Sequence, residues 1–460
     1  MKIAIVGGGP GGYVAAIRAA QLGAEVTLIE KENLGGTCLN KGCIPTKVLL
    51  HTSERIEEIK NDYDKIGIEV CEAKLDWAKL QERKEKIVKN LTGGVGSLLR
   101  KNKVTRITGE GEFKNKNQLR VKTEHGTSVT VDFDYAVIAS GSRPVVPPLP
   151  GTDLPGVITS DEALCLGEVP RSMVIIGGGV IGAEFAAAYS ALGCRITIVE
   201  MLPKIVANMD QDIVKSLKEK FIKKGIEIHT STKVESISRT SAGLLINTSS
   251  VEGKRFFEAE KVLLSIGRRP ATDGLGLENT GVKTERGSIA VERNMRTNVS
   301  NIYAIGDCIG GIMLAHVASA EGIAAVESIM GKKTAIDFKT VPYCVYTKPE
   351  LAGVGLTEEQ AKSEGYDVKI GVFPMYGNGK AVIECETEGL VKYIADNDTG
   401  EILGMHMAGP RATDLIVEGA LAIRLEATID EIISTIHAHP TISEALQEAA
   451  RAVHDNPIHI

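Results

Sequence analysis

Blocks of apolar and polar residues at the start of the chain predict a strand, a helix and a second strand. Residues 3–6 are apolar and run into the glycine-rich segment 7–12, small residues dominate 15–22, and a second apolar run at 26–29 ends in Glu30. A short apolar run before glycines predicts a buried strand, and the small residues after them predict a helix packed closely on it. This order of elements is typical of a unit that binds a dinucleotide.

The same unit returns 170 residues later, in residues 173–200. Each copy is followed by a similar strand and turn, at 135–143 ending A-S-G-S-R-P and at 261–269 ending S-I-G-R-R-P. The repeat places Gly7 on Gly177, Gly9 on Gly179, Gly12 on Gly182 and Glu30 on Glu200.

In a G-x-G-x-x-G fingerprint the glycines allow a tight turn, approach of the backbone to a pyrophosphate, and close helix packing, while the acid accepts from a ribose. Since both fingerprints are intact, we expect two bound dinucleotides rather than one site and a decayed copy. An acid at Glu200 would repel a 2′-phosphate, which favours NAD over NADP. Arg195 lies nearby but before the strand, where a solvated position is expected.

From about residue 340 the pattern changes to alternating apolar stretches at 368–373, 390–395 and 402–407, which predict antiparallel strands. Periodic helices follow at 414–424 and 441–454, with no glycine fingerprint. The fold expected is therefore α/β, with two Rossmann-like dinucleotide-binding domains and a C-terminal α+β domain for association. The domains expected are residues 1–145 and 146–270 for the two dinucleotides, 271–338 as a central segment completing the first, and 339–460 as the interface domain.

Composition and charge narrow the class of protein. The chain has 460 residues, which is too many for one hydrophobic core and predicts several domains. Nucleic acid is a poor candidate partner, because the net charge is −6 and the sequence has no basic block beyond a mixed-sign helix at 82–103. No apolar run is long enough to span a membrane, and the apolar start lacks a cleavage signature. Six of the eight cysteines are scattered singly, which indicates a reducing compartment, expected to be the cytoplasm.

The other two cysteines, Cys38 and Cys43, lie in the segment 35–47, G-G-T-C-L-N-K-G-C-I-P-T-K. Gly42 and Pro45 predict the start of a helix, so we expect both sulfurs near its N-terminal end, where the helix dipole favours thiolate. Only the first dinucleotide unit runs into this pair. A flavin suits that site because it exchanges electrons with both thiols and nicotinamides, which leaves the nicotinamide to the second site.

Two further places carry candidate chemistry with more than one interpretation. Asp307, after a strand expected at 301–305, could hold a sugar hydroxyl or merely cap the following turn. In H-A-H-P-T-I-S-E, Thr441 and Glu444 fit a capping box, and the two histidines could suggest metal, which no cysteine or carboxylate cluster supports. His439 could instead be the base that dithiol–disulfide exchange requires, oriented by Glu444.

The cysteine segment, the two fingerprints and the terminal H-x-H-P-T-x-x-E together resemble the flavin-dependent pyridine nucleotide–disulfide oxidoreductases over nearly the full chain. Within that family the chain is similar to the members that oxidise dihydrolipoamide with NAD⁺. The resemblance implies FAD, NAD, a homodimer, and lipoyl domains of 2-oxoacid dehydrogenase or glycine cleavage complexes as partners.

The resemblance also implies roles for individual residues. Cys38 would exchange with substrate, Cys43 would be the thiolate facing the flavin, and His439, held by Glu444, would act from the other subunit. Lys47 would lie near the flavin and pair with Glu184. The residues expected around FAD are Gly7, Gly9, Gly12, Glu30, Thr37, Lys47, Gly111, Ser140, Gly141, Asp307, Met313, Leu314, Ala315 and His316. Those expected around NAD are Gly177, Gly179, Val180, Ile181, Gly182, Glu184, Glu200, Val234 and Gly267.

Some features differ from those of relatives. Val317 stands where many relatives carry lysine, and Ser140 where A-T-G-S-R-P is common; we expect adjustment there and not loss of function. A glutathione reductase would carry a tyrosine at Val180 and arginines for NADP at Glu200. Mercuric reductase and large thioredoxin reductases would carry a C-terminal cysteine pair, and a flavoprotein transhydrogenase would lack the pair at 38 and 43. A non-catalytic scaffold would not be expected to keep those cysteines and His439.

Overall fold

The computed structural model describes residues 1–123, 126–241, 243–334 and 336–460. The strands are β1 (Lys2–Val6), β2 (Glu25–Glu30), β3 (Thr105–Asn115), β4 (Gln118–Thr123), β5 (Ser128–Asp132), β6 (Tyr135–Ile138), β7 (Ser142–Pro144), β8 (Val157–Thr159), β9 (Ser172–Ile176), β10 (Arg195–Val199), β11 (Glu227–His229), β12 (Lys233–Arg239), β13 (Leu244–Ser250), β14 (Gly253–Ala259), β15 (Lys261–Leu264), β16 (Arg268–Pro270), β17 (Thr284–Glu285), β18 (Ser288–Ile289), β19 (Ile302–Ala304), β20 (Tyr343–Val345), β21 (Glu350–Gly355), β22 (Val368–Pro374), β23 (Leu390–Asp396) and β24 (Ile402–Gly409).

The helices connect and cover the sheets. They are α1 (Pro10–Gln21), α2 (Gly36–Lys41), α3 (Cys43–Asn61), α4 (Trp77–Lys101), α5 (Ser160–Ala163), α6 (Val180–Ala191), α7 (Gln211–Lys223), α8 (Ala315–Ile329), α9 (Glu358–Ser363), α10 (Gly379–Ile383), α11 (Ala412–Arg424), α12 (Ile429–Ser434) and α13 (Glu444–Ala452). No helix in the described part of the chain has the length and apolar character needed to cross a bilayer.

The first unit is a sheet in the order β19-β6-β1-β2-β3-β4-β5. The pairs from β19 to β3 are parallel, and β3, β4 and β5 continue as an antiparallel meander. Helix α1 connects β1 to β2, as the apolar pattern predicts. Gly12 permits its close packing, because a Cβ there would lie 1.8 Å from the Gly7 carbonyl oxygen. The short strand expected at 301–305 is present as β19 and joins this sheet beside β6.

The second unit repeats that arrangement in a parallel sheet ordered β11-β10-β9-β15-β8, with α6 between β9 and β10. A Cβ at Gly182 would lie 2.1 Å from the Gly177 carbonyl oxygen, matching the packing in the first unit. An antiparallel sheet of β12, β13 and β14 follows. The turns that end the two units pair with each other, since β7 and β16 form an antiparallel ribbon.

The C-terminal part is an antiparallel sheet ordered β20-β21-β24-β23-β22, covered by α11 and α13. The three strands expected from alternation are confirmed as β22, β23 and β24, and the sheet also contains β20 and β21. The last helix begins at Glu444 and not at Thr441 as predicted. The Thr441 hydroxyl donates to the Ala438 carbonyl at 2.6 Å, so it does not cap a helix, and only the Glu444 half of the expected capping box forms.

A buried lysine connects the second unit to this C-terminal sheet. Lys392, in the middle of β23, has a fully buried side chain. Its Nζ lies 2.6 Å from Asp212, 2.7 Å from Glu358 and 3.2 Å from Asp210. Asp210 is itself buried and caps the N-terminus of α7. A buried charge requires such partners, so this cluster joins α7 firmly to the sheet.

Candidate active site

A cavity of about 1710 Å³ lies between the two glycine-rich units and the C-terminal sheet. All but four of the residues expected at the site line it. Gly12 and Gly182 do not, because they lie where helix packs on strand. His439 and Glu444 do not line it either. The lining residues expected from sequence are Gly7, Gly9, Glu30, Thr37, Cys38, Cys43, Lys47, Gly111, Ser140, Gly141, Gly177, Gly179, Val180, Ile181, Glu184, Glu200, Val234, Gly267, Asp307, Met313, Leu314, Ala315 and His316.

The two cysteines occupy different helices. Cys43 is the first residue of α3, as Gly42 and Pro45 predict, but Cys38 lies within the short helix α2. Cys38 thus lies outside α3, but its side chain hydrogen bonds to that of Cys43, which keeps both sulfurs near the N-terminal end of that helix, as predicted. Gly42, with φ −146° and ψ −114°, separates the two helical segments.

The two sulfurs are free thiols that hydrogen bond to each other, and their pKa values move in opposite directions. The hydrogen bond from Cys38, helped by the Lys47 ammonium and opposed by burial, lowers the pKa of Cys43 to about 7. The same hydrogen bond, together with burial, raises the pKa of Cys38. The dithiol is thus polarised, with thiolate character on Cys43 and the proton on Cys38.

Lys47 and Glu184 form the ion pair that the resemblance implied. Lys47 lies on α3, one turn beyond Cys43. Its Nζ lies 2.8 Å and 2.9 Å from the two carboxylate oxygens of Glu184. Glu184 was expected among the NAD residues; it is buried on α6 and connects the two units. The backbone N–H of Tyr346 donates to the same carboxylate at 3.1 Å. Tyr346 lies far along the chain from both fingerprints, and no sequence pattern pointed to it.

Both fingerprints leave room for a dinucleotide. Gly7 and Gly177 have φ of +111° and +105°, which only glycine adopts readily at these turns. A Cβ placed on Gly141, Gly179 or Gly267 would meet no heavy atom within 4 Å, so the backbone there faces open cavity. The carboxylates of Glu30 and Glu200 also line the cavity, and although each accepts backbone hydrogen bonds, each keeps lone pairs free for hydroxyl groups. These residues fit two dinucleotides.

Asp307 belongs to a hydrogen-bond network that sequence reasoning only partly found. It lies in the 3₁₀ helix Gly306–Ile309, and its carboxylate accepts from the Ser142 hydroxyl. Ser142 in turn accepts from Arg268 Nε at 2.7 Å, and Arg268 also reaches Thr37 at 3.4 Å. Ser142 and Arg268 were missed. The signal for them was the repeated turn, A-S-G-S-R-P and S-I-G-R-R-P, whose two copies pair as β7 and β16.

The segment before α8 lies at the same wall of the cavity. Leu314 directly precedes α8. His316 Nε2 lies 3.1 Å from the Pro342 carbonyl oxygen, and burial lowers the pKa of the His316 imidazole. The adjacent Val317 is buried and does not line the cavity. Its difference from relatives therefore lies in the core.

His439 and Glu444 pair with each other but stand apart from the cysteines. His439 Nδ1 lies 2.9 Å from Glu444 Oε1, and the imidazole is 80% exposed. Glu444 also accepts from the Thr441 backbone N–H at 2.9 Å. Within the described ranges no group of three or more histidine, cysteine, aspartate or glutamate side chains could hold a metal ion. The His439 imidazole of one chain is therefore oriented and exposed to solvent, and it lies outside the wall of that chain's own cavity.

Two family models match this chain. One, described as pyridine nucleotide-disulphide oxidoreductase, matches residues 1–322. The other, described as the dimerisation domain of the same family, matches residues 341–450. The chain belongs to this family. The resemblance drawn from the cysteine segment and the fingerprints is thereby confirmed, as is the predicted α/β fold with its C-terminal dimerisation domain.

Individual members of the family are similar over their full length. Dihydrolipoyl dehydrogenase of Bacillus subtilis (strain 168) is 45% identical, and the match covers 99% of this chain and 98% of that protein. The mitochondrial dihydrolipoyl dehydrogenase of Pisum sativum is 44% identical over 100% of this chain and 92% of its own. Among solved structures, LpdA from Mycobacterium tuberculosis superposes with a TM-score of 0.91 at 29% identity, covering 98% of this chain and 99% of that one.

Proposed function

We propose that this oxidoreductase oxidises protein-bound dihydrolipoamide to lipoamide and passes the electrons through the Cys38–Cys43 pair and FAD to NAD⁺. The observation that carries the proposal is the pair of thiols Cys38 and Cys43, which line one cavity together with residues of both fingerprints. The similarity to two dihydrolipoyl dehydrogenases over whole chains supports the substrate. When bound, FAD supplies a two-electron carrier between the dithiol and the nicotinamide.

The residues around the cavity divide between the two cofactors. We assign the first fingerprint and Glu30 to FAD, because this unit runs directly into the cysteine segment. We assign the Asp307–Ser142 network to FAD as well, because Arg268 connects it to Thr37, the residue before Cys38. We assign the second fingerprint and Glu200 to NAD. The remaining proposed contacts are Thr37, Lys47, Gly111, Ser140, Gly141, Met313, Leu314, Ala315 and His316 for FAD, and Val180, Ile181, Glu184, Val234 and Gly267 for NAD.

The cysteines perform the exchange with substrate. In the oxidised protein they form a disulfide; a substrate thiolate attacks Cys38, and Cys43 leaves as thiolate. The second thiolate of the substrate then attacks the substrate sulfur that is bonded to Cys38, and Cys38 leaves. This step releases the cyclic disulfide product and leaves both cysteines reduced. The Lys47 ammonium favours departure of Cys43 as thiolate, since it lowers the pKa of that thiol.

Each attack requires a base for a substrate thiol proton, and we assign that role to His439. Glu444 orients the imidazole through Nδ1, which leaves Nε2 to accept the proton. His439 does not line its own chain's cavity, so the partner subunit's His439 would complete the site.

A homodimer follows from this assignment and has separate support. Val417 and Leu421 on α11, with Leu425 directly after it, form an exposed apolar stripe at the spacing of one helix face. A stripe of this kind on a domain named for dimerisation is suited to contact with a second copy. The active site would then be built from two chains.

The domain limits proposed are 1–145 for FAD, 146–270 for NAD, 271–338 completing the FAD domain and 339–460 for dimerisation. The ribbon of β7 and β16 lies near the proposed junctions, and β19 pairs with the first sheet. We place the protein in the cytoplasm because Cys71, Cys165 and Cys385 are exposed single thiols, which suit a reducing compartment. The substrate arm would be a lipoyl group carried by another protein.

A paired assay tests the proposed function against glutathione reduction within the same family. The purified protein should oxidise dihydrolipoamide with NAD⁺ far faster than with NADP⁺. Glu200 and Val180 stand where a glutathione reductase would carry arginine and tyrosine. Higher efficiency with oxidised glutathione and NADPH than with dihydrolipoamide and NAD⁺ would overturn the assignment.

A further inference from the structure

Tyr346 extends from the C-terminal sheet into the space between the two dinucleotide units. It directly follows β20, is 37% exposed, and lines the cavity. It makes two separate contacts there. Its ring centroid lies 4.3 Å from Lys47 Nζ, and its backbone N–H donates to Glu184 Oε1 at 3.1 Å. One residue of the dimerisation domain thus contacts both members of the ion pair beside Cys43.

The ion pair matters because its two charges act oppositely on Cys43. Lys47 lowers the pKa of the Cys43 thiol, and Glu184 raises it. Cys38, through its hydrogen bond, and the backbone N–H of Cys43 also stabilise the thiolate. The charge of Cys43 acts in turn on the hydroxyl of Tyr346 and helps to raise its pKa. The electrostatic environment of Cys43 therefore depends on where the Lys47 ammonium is held between Cys43 and Glu184.

The ring of Tyr346 limits where that ammonium can lie. Lys47 is on a flexible four-carbon stem and its side chain is 30% exposed, so the ion pair alone leaves it room to move toward solvent. An aromatic face at 4.3 Å attracts the ammonium and so opposes that movement. The backbone N–H of the same residue fixes the carboxylate, so that both charges are located by one segment.

We propose that Tyr346 is a positioning residue for electron transfer, whose ring holds the Lys47 ammonium beside Cys43 while its backbone N–H holds Glu184. The ring and not the hydroxyl performs this task. The inference rests on the proposed function, in which Cys43 is the thiolate that faces the flavin. It gives the dimerisation domain of the same chain a role beside Cys43, in addition to the role proposed for the partner subunit's His439.

The test is a pH titration of the long-wavelength absorbance that a thiolate beside the flavin gives in the two-electron-reduced holoenzyme. Tyr346→Leu removes the ring, and the midpoint should rise by about half a pH unit, as expected for loss of one partly exposed cation–π contact. Tyr346→Phe keeps the ring, and its midpoint should equal that of the unmodified protein. Tyr346→Met supplies a second ring-free side chain in case the leucine variant folds poorly.

Tyr343→Leu is the matched control, because Tyr343 also lines the cavity from β20 but its ring is not the one that Lys47 contacts. Its midpoint should stay unchanged. Equal midpoints for Tyr346→Leu and the unmodified protein, or equal shifts for the leucine and phenylalanine variants, would overturn the inference. If the variants show the expected shifts but the unmodified protein does not turn over dihydrolipoamide, the positioning role of Tyr346 is supported and the proposed substrate is overturned.

Discussion

Glu30 and Glu200, 170 residues apart, hold their carboxylates by the same pair of hydrogen bonds. Glu30 accepts from the backbone N–H groups of Gly8 at 2.6 Å and Glu32 at 2.7 Å. Glu200 accepts from the corresponding N–H groups of Gly178 at 2.6 Å and Leu202 at 2.7 Å. Two sites with matching preorganised acids therefore exist in one chain, and each acid can be tested separately.

Replacing Glu200 by alanine should lower kcat/KM for NAD⁺ by about tenfold or more, because a charge-assisted hydrogen bond to the ribose is lost. The preference for NAD⁺ over NADP⁺ should fall as well, since the repulsion of a 2′-phosphate disappears. Arg195 is exposed at the opposite end of β10 and does not replace it. Steady-state kinetics with both nucleotides measure the effect. Glu30→Ala is the control, and it should reduce the amount of flavin that the purified protein retains. An unchanged ratio of kcat/KM for NAD⁺ to kcat/KM for NADP⁺ in Glu200→Ala would contradict the assignment of Glu200.

Replacing Cys43 by serine should abolish the long-wavelength absorbance of the two-electron-reduced protein, whereas Cys38→Ser should keep a thiolate at position 43. In the unmodified protein the absorbance should titrate near pH 7, since the pKa of Cys43 is lowered to about 7. The sign follows from that value: the thiolate forms as the pH rises above it and is lost as the pH falls below it. Survival of the absorbance in Cys43→Ser would place the thiolate elsewhere.

Replacing His439 by glutamine should lower dihydrolipoamide turnover by about 100-fold or more, the usual contribution of a general base. Glu444→Gln should cost less, because the imidazole remains and only its orientation weakens. Reduction of a small-molecule electron acceptor by NADH is the control reaction, since it requires no thiol proton transfer and should proceed normally. Unchanged dihydrolipoamide turnover in His439→Gln would remove His439 as the base.

Mixing two inactive variants should restore activity if each site takes its imidazole from the other subunit. In a heterodimer of His439→Gln and Cys38→Ser chains, one site has both cysteines and the partner subunit's His439. Random assembly gives such heterodimers as half of all dimers, each with one working site, so turnover should return to about a quarter of that of the unmodified protein. Co-expression followed by the standard assay measures this. Activity no higher than that of the two variants alone would place His439 and the cysteines of one site on the same chain.

Replacing Lys392 by methionine should destabilise the protein by about 3–5 kcal/mol, because Asp210, Asp212 and Glu358 would lose their buried partner. Urea unfolding followed by circular dichroism measures the loss. Lys362→Met is a matched control: Lys362 pairs with the same Glu358 but is exposed, and its removal should cost about 0.5 kcal/mol or less. Similar losses in the two variants would contradict a special role for the buried cluster.

Sequence patterns sufficed for features that depend on the local backbone. The two fingerprints, their strands and helices, and the start of α3 at Cys43 follow from where glycine, proline and apolar residues stand, because these restrict φ and ψ residue by residue. The same patterns did not predict the local structure where a short polar side chain can hydrogen bond to more than one backbone group, or where a segment forms only one or two helical turns. Thr441 donates to the preceding backbone and does not cap α13, and the segment at Cys38 forms its own short helix.

The sequence by itself determined that two dinucleotide units and a pair of nearby cysteines exist, since each is contained within about thirty residues. Only the tertiary structure decided what surrounds the pair. The contacts of Tyr346 with Lys47, of Arg268 with Ser142 and of Lys392 with Asp210 join residues that are 126 or more positions apart. Such contacts carry no periodicity or motif. They depend on how the sheets pack against one another, and so did the different environments that give Cys38 and Cys43 opposite pKa shifts.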